Sequence, residues 1–264
     1  MTRFPTLRLA LPGILLFLLV QGLLWVSLWS ALPGGFDGPD AYMRMVRVLE
    51  CGGGGSCPGG LLLRGNVPYG EVLHWPFLLD RLILLLAWPF LLFMDFQAAA
   101  ALAGHLVGPL FGVCAMMVLA AGARRIMEDR VARWVPLLAV THFWVIFAFA
   151  PVRPDHHGLQ LLLFLLGLLG GFQLLEKADR GVGGWVLGAA MGFALWVSTE
   201  GLASTLFIAG VLALIWVFRG GRTLAGALFR AWSTAAAVLG LGILVDGPEP
   251  WRWAPDFDRF SVVH

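Results

Sequence analysis

The sequence predicts an all-α, polytopic membrane bundle of about seven transmembrane helices. Two observations predict it. The chain of 264 residues is 59% hydrophobic and 13% charged, whereas a soluble domain is about half apolar and a quarter charged. The apolar residues also come in long runs, and the charges gather in short knots between them. That excludes an ordinary soluble domain, and no nucleic-acid partner is expected. The whole chain, 1–264, reads as a single transmembrane domain.

The first apolar run, residues 9–32, follows Arg3 and Arg8. It is longer than the core of a signal peptide and long enough to span, so it reads as an uncleaved first helix. A long outer loop follows, over about residues 34–97. Within it Tyr42, Met45, Val46 and Leu49 share one helical face, and Arg44, Arg47 and Glu50 lie largely elsewhere. This predicts an amphipathic helix lying on the membrane surface. Cys51 and Cys57 flank a glycine-rich stretch. They either close a small disulfide ring or stay as free thiols; zinc is less favoured without a second cysteine pair. Residues 66–70 are turn chemistry. His74-Trp75-Pro76 then leads into residues 77–96, whose Asp80, Arg81, Pro89 and Asp95 predict an interfacial or re-entrant segment.

Further spans are expected at 98–121, 135–150, 159–175, 183–197, 202–218 and 232–245. Cys114, His105 and His142 fall inside apolar runs and read as core residues. Gly183, Gly184, Gly188 and Gly192 predict close helix packing. With the N-terminus in the cytoplasm, eleven of the 18 Lys and Arg fall on the cytoplasmic side and twelve of the 16 Asp and Glu on the other. That agrees with the positive-inside rule. If 77–96 spanned, Arg124, Arg125, Arg130 and Arg133 would face outward, which favours the interfacial reading.

This topology gathers several ionisable knots on the outer face. Asp37-Gly38-Pro39-Asp40 can cap a helix, with Asp37 as N-cap, and can offer Asp40 as a metal ligand or base. In Arg153-Pro154-Asp155-His156-His157, the carboxylate can start a helix, but that leaves the arginine and two histidines unexplained. Asp155 and His157 are close enough to share one ion, and Arg153 can neutralise a phosphate. Glu200 sits at a tight turn between helices, where a carboxylate faces a cavity or a partner. The tail carrying Asp256, Asp258 and His264 reads first as a loose terminus. His74 reads as an interfacial side chain.

These features resemble the GT-C superfamily of membrane glycosyltransferases, and within it the catalytic subunit of oligosaccharyltransferases. The resemblance rests on Asp37-Gly-Pro-Asp40-Ala-Tyr42 after the first helix, on the long loop with His74-Trp-Pro-Phe77, and on Arg153-Pro-Asp155-His156-His157 opening a span. It implies transfer of a sugar or glycan from a polyprenyl phosphate or diphosphate to an acceptor on the outer face. It implies Asp40 and Asp155 as catalytic carboxylates. A divalent metal, Mg²⁺ or Mn²⁺, would sit on Asp40, Asp155 and His157, the last standing where the family often has another acid. Substrate would meet Arg153, His156, Glu200 and His74. Family members continue with further helices or a soluble domain, so this chain reads as a fragment or a reduced form. The compact loops suggest the cytoplasmic membrane of a bacterium. Two other classes stay open. A transporter also places ionisable groups along a cavity, and a scaffold subunit also needs glycine-rich helices.

Overall fold

The computed structural model describes residues 5–29, 35–52, 61–178 and 181–246. Nearly all of them are helical. The first run forms α1, Pro5–Trp29. The loop after it holds α2, Pro39–Gly52, and a minimal antiparallel pair, β1 Leu61–Leu62 and β2 Glu71–Val72. It also holds α3, Leu78–Ala87, which a 3₁₀ turn at Trp88–Leu92 ends. Thus residues 77–96 do not form a continuous span. Next comes α4, Phe96–Ile126, which Asp95 caps by accepting from the Ala98 N–H at 2.9 Å.

Residues 135–150, expected as one span, come as two short helices, α6 Trp134–Val140 and α7 Phe143–Ala148, after a single turn, α5 Asp129–Ala132. The break frees backbone carbonyls from helical pairing, so they need other donors. The buried Gln21 of α1 donates to one of them, Ile146 O, at 3.0 Å. His142 precedes α7 and is exposed, so it is not the core histidine expected; Cys114 is likewise exposed. The remaining helices are α8 His156–Glu176, α9 Gly183–Val197, α10 Gly201–Arg219 and α11 Arg222–Val245. Among the described residues five helices are long and apolar enough to cross a membrane: α1, α4, α8, α10 and α11. The broken α6–α7 pair and the 15-residue α9 are too short for that count.

α9 is enclosed by α8, α10 and α11. Glycine makes this possible. A Cβ at Gly188 would stand 2.1 Å from Ala231 O of α11, and Gly184 and Gly192 meet the carbonyls of Ala227 and Ala235 on the same helix. Bulk at these positions would push the two helices apart.

Polar contacts gather in two rims. In one, Arg124 reaches Thr6 at 3.2 Å and Asp129 at 3.0 Å, Arg125 pairs with Glu176, and Arg230 donates to Ala178 O. All these residues belong to the side expected to be cytoplasmic. The opposite rim carries both acidic knots, Glu200 and Asp246.

Helix α2 differs from expectation in its face. The buried stripe is Ala41, Arg44, Met45 and Val48, with Arg47 beside it, while Tyr42 is exposed. The arginines turn inward because Asp80 of α3 meets them. Arg44 Nη1 lies 2.6 Å from Asp80 Oδ1, and Arg47 Nε bonds Oδ2. Arg47 also donates to the carbonyls of Trp75 (2.7 Å) and Pro76 (3.1 Å). Burial pulls the Arg44 guanidinium below its ordinary pKa, against the pull of Asp80.

Candidate active site where two loops meet

The first knot is tied to the second by backbone. The Asp37 N–H donates to Val152 O at 2.8 Å. Gly38, at φ +86°, stands directly before Pro39, the first residue of α2, so Asp37 lies one residue too early to be its N-cap. His105 of α4 reinforces the junction. Its Nδ1 stands 2.9 Å from Pro151 O, so it must donate there, and its ring stacks on Phe36 at 4.4 Å. Gly158 lets the second knot lie against α7: a Cβ there would come 2.6 Å from Ala148 O.

Asp155 both caps α8 and organises the knot. Its Oδ1 accepts from the His157 N–H at 3.0 Å and lies 3.1 Å from His157 Nδ1. Its Oδ2 accepts from Arg153 Nε (3.0 Å) and Nη2 (2.9 Å). Burial works against ionisation of this carboxyl, but the bonds and charges of His157 and Arg153 outweigh it and hold its pKa below the ordinary value. Arg153 also lies over the Phe147 ring at 4.1 Å.

His156 is buried, and its ring stacks on that of His157 at 4.3 Å. Its Nε2 lies 3.2 Å from Glu200 Oε2, and His157 Nε2 lies 3.8 Å from the same oxygen. Glu200 is brought in by the turn between α9 and α10. There Ser198 Oγ accepts from the Glu200 N–H at 3.3 Å, and Gln160 of α8 donates to Ala194 O at 2.8 Å. Among the described residues, His156, His157 and Glu200 form the one group whose ligand atoms fall within reach of a single ion, all within 4.8 Å.

The remaining predicted residues stand around this group. Asp40 lies in the first turn of α2, partly exposed, with no ion-pair or hydrogen-bond partner for its side chain among the described residues. His74 is exposed and rests on Trp75, ring centroids 4.7 Å apart. Trp75 itself was not foreseen. It sits 5.6 Å from the His156 ring, with the Arg44 guanidinium 5.1 Å from its own centroid. Asp246 ends α11 by accepting from Arg81 (2.6 Å), Trp196 Nε1 (2.7 Å) and the Phe77 N–H (3.3 Å), which clasps α11 to α3 and α9. His105 and Trp75 carry no charge pattern; only the Trp-Pro pair and a histidine inside an apolar run mark them. Cys57, Glu249, Asp256, Asp258 and His264 lie outside the described residues.

No protein-family model matches the sequence, and no curated protein matches it. Among solved structures, the chain superposes on crystal structures of the Archaeoglobus fulgidus oligosaccharyltransferase. One is the apo form and the other is tethered by a disulfide bond to an acceptor peptide containing the NVT sequon. Each gives a TM-score of 0.72 over 98% of this chain, at 13% and 14% identity. The fold is shared with an oligosaccharyltransferase. The chain spans 31–32% of that neighbour's length, and the likeness over that stretch is one of fold. The resemblance expected from the acidic motifs is met at that level, in a helical membrane protein.

Proposed function

We propose that this protein is the membrane module of a glycosyltransferase that takes a sugar or glycan from a polyprenyl phosphate or diphosphate. The observation that carries the reading is the Asp37–Val152 backbone bond. It holds two knots, more than a hundred residues apart in sequence, at one rim of a fold shared with an oligosaccharyltransferase. In this reading that rim faces away from the cytoplasm, and the N-terminus lies inside.

Each residue then has a task. Asp40, unpartnered within the described residues, takes the acceptor's proton as the new glycosidic bond forms. The leaving phosphate gathers negative charge, and Arg153 receives it, with the His156 and His157 rings beside it. Asp155 orients both Arg153 and His157 and touches the reacting groups through them. Glu200 and His74 flank the sugar. A divalent ion fits Asp40, Asp155 and His157 in kind. The three do not lie within one ion's reach of one another, and both Asp155 oxygens are engaged by Arg153 and His157, so a shared ion would need Asp40 to close in and the donor phosphate to draw Arg153 away. Such an ion would supply charge neutralisation at the departing phosphate. The acceptor belongs to the same proposal; the neighbour's printed acceptor is a peptide with the NVT sequon, and a peptide is the first to test.

The test is sugar release and transfer from a polyprenyl-diphosphate sugar by the purified chain. Loss of both in Asp40→Asn with unchanged helicity is the expected result. Equal rates in the wild type and the variant would overturn the assignment.

A further inference from the structure

The histidine pair, placed above beside the leaving phosphate, has a second feature in the free protein. His157 Nδ1 faces the buried Asp155 carboxylate at 3.1 Å, so it carries the ring proton and donates. His157 Nε2 lies 3.8 Å from Glu200 Oε2, and His156 Nε2 lies 3.2 Å from the same oxygen, so three ligand atoms converge on one point at the rim. A carboxylate holding Nδ1–H so that Nε2 points at a metal is the usual support of a metal-binding histidine. Two imidazoles and one carboxylate, with a position left open, make a donor set that suits zinc-like ions, whereas Mg²⁺ and Mn²⁺ prefer oxygen.

The distances allow it. With bonds of about 2.0–2.2 Å, tetrahedral ligand atoms stand roughly 3.3 Å apart. The group spans up to 4.8 Å, with two of its separations at 3.2 and 3.8 Å, so a modest turn of the His157 ring and of the exposed Glu200 side chain closes it. Glu200 and His157 are 59% and 45% exposed, which leaves one side open to water or to an anionic oxygen. Neither Asp40 nor Asp155 belongs to the group.

We propose that the free protein binds one zinc-class divalent ion through His156 Nε2, His157 Nε2 and the Glu200 carboxylate. Asp155 holds His157 from behind. This inference stands on its own geometry and needs no transferase activity.

The experiment uses the purified full chain in detergent, stripped with a chelator and titrated with Co²⁺ and Zn²⁺ by visible absorption and calorimetry. One Co²⁺ is expected to bind with a low-symmetry visible band, to be displaced by Zn²⁺, and to survive a large excess of Mg²⁺. Glu200→Gln, at an exposed position, and His156→Ala should each weaken binding about tenfold or more. Asp40→Asn should leave it unchanged. Loss of binding in Asp40→Asn with retention in Glu200→Gln would overturn the proposal and move the ion to the Asp40–Asp155–His157 set, leaving the transferase reading intact. No binding of Co²⁺ or Zn²⁺ to the wild type would also overturn it, and would put a proton, not a metal, on His157 Nε2.

Discussion

Replacing Asp80 by Asn should loosen the whole surface helix pair while sparing the bundle. The Asp80 carboxylate neutralises two arginines, all three groups being at most 4% exposed. Removing its charge leaves two buried cations with no bonded anion, Asp155 acting on Arg44 only through space. Arg47 keeps the Trp75 and Pro76 carbonyls and the face of Phe77, 4.5 Å away. Arg44 keeps the Trp75 face and at most one amide oxygen of the new Asn, since its Nε and Nη2 already lack partners among the described residues. Breaking a buried ion pair from one side costs about 3–5 kcal/mol. At 3 kcal/mol the opening equilibrium of α2 against α3 shifts by roughly a hundredfold. Amide exchange in detergent reads this directly. Protection in α2 and α3 should fall by about that factor, and α10 and α11 should hold theirs. A change in α2 under about 1 kcal/mol, the scale of a screened surface pair, would mean instead that water reaches the cluster and screens its charges. A triple replacement by Met, Met and Leu should recover much of the loss, because apolar groups of similar size remove the desolvation penalty along with the charges.

Gly158→Ala should abolish donor binding with little loss of overall helicity, because its Cβ meets Ala148 O at 2.6 Å and shifts the start of α8; a binding assay beside circular dichroism checks it. Asp155→Asn keeps a cap for α8 but leaves Arg153 without its anion, so it should cost less stability than Asp155→Ala, which loses the cap bond as well, by about 1 kcal/mol; thermal unfolding of both variants measures the gap. Arg81→Ala should cost no more than about 1 kcal/mol, since Arg81 is 42% exposed and Asp246 keeps Trp196 and the Phe77 N–H; the same melts test it. Gly188→Leu should separate α9 from α11, since even a Cβ there would stand 2.1 Å from Ala231 O, and lower the melting temperature more than any change at the site rim.

What the sequence made legible follows from one constraint: charge does not sit in hydrocarbon without a partner. That constraint placed the long spans and set residues 77–96 on the surface. It also put Asp37, Asp40, Asp155, His156, His157 and Glu200 at one rim. It failed where a partner lay far along the chain. The arginine face of α2 looks solvent-bound until Asp80, 33–36 residues on, is seen to meet it. The break in 135–150 is invisible for the same reason, because the donor that satisfies Ile146 O is Gln21 on another helix. Spacing shows that Asp155 and His157 can share an ion. It does not show that Arg153 already occupies Asp155, or that Glu200 arrives from 44 residues away to face both histidines. Asp155 is legible as a cap and as a site residue, and it is both.

The central claim is that the two tethered knots bind a lipid-linked sugar phosphate. Native mass spectrometry of the detergent-purified chain with a polyprenyl-diphosphate sugar tests it most directly, with Arg153→Ala and Asp155→Ala alongside. A one-to-one complex is expected in the wild type, lost in Arg153→Ala and weakened in Asp155→Ala. Equal binding of the sugar lipid by all three proteins, or no binding by the wild type, would contradict it.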